Sequence, residues 1–149
     1  MNKELENILF SKYPILYQKR EETLMAIGFD FADGWYDIID RLSAELEKIN
    51  NDSEKFKVIA IQAKEKFAGL RFYTEVLHPE EFDEEEIRAF RQAARDKVYI
   101  AEDEAAITCE YCGTKESVKV RDDLSWIKTL CDNCNQKRME KYDKPDSSC

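Results

Sequence analysis

Apolar positions along this chain follow two different periods, and each change of period marks the end of an element. Trp35, Ile38, Ile39, Leu42, Leu46 and Ile49 fall on one face of a 3.6-residue turn, which predicts a helix over Trp35–Asn50. Asp33 is placed to cap its start, and Asn50-Asn51-Asp52-Ser53 to stop it. A second stripe, Ile87, Phe90, Ala94, Val98, Ala101 and Ala105, predicts a long helix over Asp83–Ala106, with Asp83 and Glu86 at capping-box spacing. About 24 residues at 1.5 Å each make it roughly 36 Å long, enough to bridge the first part of the chain to the last. Between these helices, Phe56–Ala63 is rich in Val and Ile. Leu70–Leu77 alternates Phe72, Thr74 and Val76 against Arg71, Tyr73 and Glu75. Both segments read as strands. The polar connection Lys64–Gly69 ends in glycine and predicts that they form an antiparallel hairpin.

The N-terminal part is less periodic. A short helix is expected over Lys3–Phe10, interrupted before Pro14, and another over Glu21–Ile27. Tyr13, Ile15, Leu16 and Tyr17 read as an apolar anchor, and Gly28–Gly34 as a loop. The seam of the long helix contains several small residues, so it either packs on the chain's own hairpin and first long helix or pairs with its copy in a homodimer. A domain of 149 residues needs that face for its own core, which favours packing within the chain.

Composition narrows the function classes. An apolar fraction of 43% suffices for a packed core. No apolar run approaches the roughly 20 residues needed to span a bilayer. The opening segment MNKELENILFSKYP carries charge throughout, unlike a signal peptide. A cytoplasmic location with no membrane association is the expectation. The formal charge of −9 sits wholly in residues 1–106, which carry 15 basic and 24 acidic residues; residues 107–149 carry 8 of each. Much of the excess is the run Glu80–Glu86, read as a solvated helix start. So acidic a chain, with a neutral C-terminal end, is poorly suited to nucleic acid.

The most specific signal is the spacing C-x2-C-x18-C-x2-C formed by Cys109, Cys112, Cys131 and Cys134. Two residues between cysteines let a tight turn aim both sulfurs at one ion, and the long spacer returns the second pair to complete a tetrahedron of thiolates. Gly113 permits the positive φ such a turn commonly needs. The expectation is one structural zinc ion per chain in a module of knuckle, hairpin (Ser117–Arg121 and Ser125–Leu130) and helix to about Tyr142. Residues 144–149 read as a frayed tail, with Cys149 an incidental free thiol.

Catalysis finds little support. His78, the sole histidine, stands beside Pro79 with no nucleophile placed for it, and no phosphate-binding glycine motif is present. Asp30, Asp33, Asp37 and Asp40 are explained by capping and solvent exposure. The segment Lys64–Tyr73 combines Lys and Arg with three aromatics; most simply it is a hairpin whose aromatics fill a core. Trp35, Lys66, Arg71 and Tyr73 are retained as a candidate ligand or partner surface.

Several segments together resemble a family of small phage and prophage proteins. They are Tyr13-Pro14-Ile15-Leu16-Tyr17, Gly28 with Asp33-Gly34-Trp35, Lys64-Glu65-Lys66-Phe67-Ala68-Gly69-Leu70-Arg71-Phe72-Tyr73, and Cys109–Cys134 including Trp126–Leu130. Ala68 departs from the family pattern, which has a second glycine there. The resemblance implies a phage-related accessory role exercised by binding host proteins or their signalling ligands, and it carries no catalytic residues with it.

The expected fold is α+β: helices with a small antiparallel hairpin, a long helix, and a C-terminal four-cysteine zinc module. Residues 1–106 are expected to form the core with its bridging helix, and residues 107–143 the module. The expected function is a non-enzymatic, zinc-containing interaction protein that binds a host protein, as an inhibitor of a defence system would. Two alternatives are a nucleic-acid-associated regulator using the zinc module and a small-molecule binder that sequesters a nucleotide.

Overall fold

The computed structural model describes residues 1–143; the expected tail and Cys149 lie outside the described residues. The fold is α+β. Its N-terminal helix, α1 (Lys3–Lys12), starts from an Asn2 cap whose side chain accepts the Leu5 N–H. Two short 3₁₀ turns follow, Arg20–Glu22 and Leu24–Ile27. The loop expected over Gly28–Gly34 contains β1 (Phe29–Asp30), paired in parallel with the next strand through Phe29↔Ala63 and Asp30↔Lys64. Two residues of strand are too short to leave a periodic signal.

α2 (Tyr36–Asp52) begins with a 3₁₀ turn over Asp33–Trp35, and no side chain caps it. Asp33 is instead held by Asn2, whose backbone N–H and side-chain amide both donate to its carboxylate. The expected cap is thus a tie between the chain's start and α2. Asp40, expected in solvent, accepts from Tyr13 Oη and Lys12 Nζ at 2.6 Å each. The apolar anchor docks on α2 as well: the buried Glu47 carboxylate accepts the Ile15 and Leu16 N–H groups, and Tyr17 Oη meets Ser43 Oγ at 2.7 Å. Three polar side chains of α2 therefore settle a segment that forms neither helix nor strand.

The hairpin is longer and tighter than the polar linker implied. β2 (Lys57–Lys66) and β3 (Gly69–Leu77) pair antiparallel down to Lys66↔Gly69, with one irregularity in β2 near Ile61. The turn is just Phe67 and Ala68, at φ +52 and +64. Two left-handed residues in succession match the twist of a two-residue hairpin turn, which ordinarily recruits Asn and Gly. The strand order β1-β2-β3 makes β3 an edge.

α3 (Glu84–Ala106) is capped by Asp83, whose carboxylate accepts the Glu85 and Glu86 N–H groups. Its seam is taken up inside the chain: Ile87, Ala94, Val98, Ala101 and Ala105 are all buried, and α3 lies against α2 and β3. Phe90 is half-buried, its ring 5.6 Å from that of Phe56. The small residues of the stripe let α3 approach α2 closely. Trp35, Leu46, Leu70 and Phe72 join Ala94, Val98, Ala101 and Ala105 of that seam in one core. The C-terminal part comprises a loop carrying the first cysteine pair, β4 (Val118–Arg121), β5 (Lys128–Cys131) and α4 (Asp132–Tyr142). The second module strand starts at Lys128 rather than Ser125, because residues 122–127 turn outward as a loop. Among the described residues no helix is long and apolar enough to cross a membrane.

Candidate metal centre and the clasp behind it

The four cysteines come from two tight structures. Cys109 and Cys112 flank a turn closed by Gly113, whose N–H donates to the Cys109 carbonyl and whose φ is +78. Cys131 is the last residue of β5 and caps α4, its Sγ accepting the Cys134 N–H at 3.4 Å. All four sulfurs lie within 4.8 Å of one another, and Cys112 Sγ is 3.8 Å from Cys131 Sγ. A tetrahedron with metal–sulfur bonds of about 2.3 Å has sulfur–sulfur edges of roughly 3.8 Å, so the donor set fits one ion.

The Cys134 N–H, with the side chains of Cys134, Cys109 and Cys112, pulls the Cys131 thiol down to about 7, while burial holds Cys112 and Cys134 above the ordinary thiol value. Four thiolates packed this closely need a cation among them. The cluster can therefore hold a metal ion through four sulfur donors. Four protein ligands close a tetrahedral site, which suits structure rather than chemistry.

Behind the centre, the first cysteine loop is clasped to the rest of the molecule. The Gly34 N–H donates to the Glu110 carbonyl at 2.9 Å, and Trp35 Nε1 to the Thr108 carbonyl at 3.0 Å. The backbones approach so closely that a β-carbon on Gly34 would sit 2.5 Å from the Glu110 carbonyl oxygen, and one on Gly113 would sit 2.9 Å from the Gly34 oxygen. Side chains complete the clasp. Glu110, 1% exposed, accepts from the Ala32 N–H and from Lys128 Nζ. Lys128 also reaches the buried Glu65 at 3.2 Å. Glu65 further accepts the Ala68 N–H and Trp126 Nε1. Desolvation works against the charged Lys128, yet Glu110 and Glu65 hold its pKa above the ordinary lysine value. On the hairpin side, Thr129 Oγ1 donates to the Ala68 carbonyl at 2.7 Å.

The candidate surface residues do not form one site. Trp35 is wholly buried and belongs to the core and the clasp, because its indole N–H finds its acceptor in the cysteine loop. Arg71 and Tyr73 line a groove between β3 and α3. Lys66 stands at the hairpin tip, where it lines a depression with Phe67 and Trp126. The residues that periodicity and motif missed are Glu65, Glu110, Lys128 and Trp126; Phe67, expected with the other hairpin aromatics to fill a core, is instead exposed because it sits in the two-residue turn. Glu65 carried one local signal: it sits at an inward position of an alternating strand, where a lone carboxylate requires a partner.

The chain matches no family model, no curated protein and no solved structure.

Proposed function

We propose that this protein is a non-enzymatic interaction protein, folded around a structural zinc ion, that grips a partner protein with the tip of its β2–β3 hairpin. Zinc is the ion that four thiolates in a closed tetrahedron favour. The resemblance of the quoted segments supplies the rest of the reading: a phage-related chain, acting on a host protein whose defence activity it blocks.

The observation that carries the partner surface is Phe67. It is 76% exposed and holds φ +52 at a turn position where Asn or Gly is the ordinary occupant. A left-handed backbone at such a residue costs on the order of 1–2 kcal/mol. So exposed a ring returns little burial to the fold. Strain of this kind at a solvent-facing aromatic motivates a binding role. Trp126, 66% exposed, lines the same depression of about 420 Å³ together with Ile127, Lys64 and Lys66. Two adjacent exposed aromatics are the usual composition of a binding hot spot, and the flanking lysines favour a partner with an acidic rim.

The test begins with a photo-crosslinking residue at position 127, which captures the partner so that it can be identified and purified. That partner is then titrated with Phe67→Asn and with Phe67→Asn/Trp126→Ser. Phe67→Asn is expected to fold with stability within about 1 kcal/mol of wild type, since Asn tolerates the turn geometry. The double variant is expected to lose about a hundredfold in affinity. Undiminished affinity in the double variant would overturn the assignment.

A further inference from the structure

β3 pairs with β2 along one edge; among the described residues its other edge carries no strand. That edge faces α3 across a groove of about 500 Å³, and six consecutive β3 residues, Arg71 through Val76, line it. Side chains alternate across a sheet, so an unbroken run of lining residues means that the strand's backbone edge itself forms one wall. At one position the edge already has a substitute for the missing neighbour: the Phe72 N–H donates to Glu102 Oε1 of α3 at 3.1 Å. By the same alternation the Thr74 and Val76 N–H groups point into the groove. Ala94 and Val98 are buried at its floor, and Tyr99, 52% exposed, stands on its helical wall. β3 is long and contains no proline, and beyond Phe72 its outward edge pairs with no strand among the described residues; natural proteins rarely leave such an edge open without use.

The charge of the groove selects its occupant. Arg71, Arg91 and Arg95 line it, opposed by Glu75 and by Glu102, which the Phe72 N–H already engages. Among the described residues none of these three arginines makes an ion pair, although the chain is acidic overall and many of its other basic side chains are paired. A free anion would use the guanidinium groups and leave the strand edge unpaired.

We propose that the β3–α3 groove binds an extended acidic segment of a partner protein, which adds as a strand to the β3 edge and places its carboxylates on Arg91 and Arg95. The segment's backbone takes the Thr74 and Val76 N–H groups, its apolar side chains rest on Ala94 and Val98, and alternate residues present acid to α3. This surface is separate from the hairpin tip, and it stands or falls independently of Phe67 and Trp126.

The test uses two labelled hexapeptides, one alternating Glu with Val and one alternating Lys with Val, titrated by fluorescence anisotropy against the zinc-loaded full chain. The acidic peptide is expected to bind at least about tenfold more tightly, and Arg91→Glu/Arg95→Glu to reverse that order. Thr74→Pro removes an outward N–H without touching the ladder to β2, and is expected to weaken binding at least about tenfold. In wild type, the acidic peptide is expected to slow amide exchange at Thr74 and Val76, a readout that does not depend on how well any variant folds. Three results would overturn the proposal. One is no acidic-peptide binding tighter than about 1 mM. Another is binding that slows no β3 amide and survives Thr74→Pro, which would make the groove an anion site alone. The last is a wild-type dimer that Thr74→Pro disperses, which would make the edge a contact between copies.

Discussion

Replacing Gly34 with alanine tests whether the cysteine loop is clasped to the core or merely adjacent to it. The new β-carbon would lie 2.5 Å from the Glu110 carbonyl oxygen and nearer still to that of Cys109, so one of the two backbones must move. Both neighbours are main-chain atoms, of a clustered cysteine and of the residue after it, with no flexible end to swing aside. Overpacking of this kind costs about 1–3 kcal/mol. Separating the backbones also lengthens the Gly34 N–H to Glu110 carbonyl bond and strains the Trp35 indole bond to Thr108. Each such bond contributes about 1 kcal/mol. The expected loss is about 3 kcal/mol, which at a urea dependence of roughly 2 kcal/mol per molar moves the midpoint down by about 1.5 M. Gly69→Ala is the matched control. There the nearest atom is Arg71 Nη1 at 3.1 Å, the end of a flexible side chain, and the change should stay below about 1 kcal/mol. The variant should keep its metal, since all four ligands lie inside the loop-hairpin-helix unit, while the Trp35 indole proton exchanges faster. A Gly34→Ala midpoint within about 0.3 M of wild type, with the indole still protected, would refute the clasp.

Two further outcomes follow from the same region. Purified protein should contain about one zinc per chain, with the four cysteines protected from thiol reagents until a chelator is added; chelation should melt β4, β5 and α4, because metal-binding energy there is folding energy. Metal analysis at less than about a tenth of an equivalent, in protein never exposed to chelator, would rule out zinc as the resident ion. Lys128→Met leaves the buried Glu65 and Glu110 carboxylates without their shared counter-ion and should cost about 3–5 kcal/mol in urea unfolding. Adding Glu110→Gln to that variant should recover part of the loss, and no recovery would mean that Lys128 acts through packing alone.

How much of this was legible beforehand depends on how local each cause is. α2 and α3 follow from one-faced stripes, the hairpin from two alternating runs, and the metal centre from cysteine spacing, because each of these signals is contained within a few turns or strand residues. Gly113 could be assigned its positive φ for the same reason. The two-residue β1 could not be seen, since its strand character comes from Ala63 and Lys64 far along the chain. The hairpin turn was hidden differently: Phe67 and Ala68 are poor left-handed residues, and they are held there by the Thr129 hydroxyl on the Ala68 carbonyl and by Glu65 on the Ala68 N–H.

Local periodicity and spacing suffice for the α+β class, the two long helices, the paired strands and a cluster of four cysteines able to hold a metal ion. What surrounds those cysteines exists only in the folded chain. Glu110 meets Ala32 across 78 residues, Trp35 meets Thr108 across 73, and Lys128 meets Glu65 across 63. A buried carboxylate takes whatever donor the fold brings to it, and no pattern along the chain announces a partner at that distance. The same holds for the two surfaces assigned to partners: Phe67 is paired with Trp126, and Arg71 with Arg91, by how β3, α3 and the loop before β5 are laid together. Exposure and juxtaposition are properties of the packed chain, and they exist only once the core has set its elements side by side.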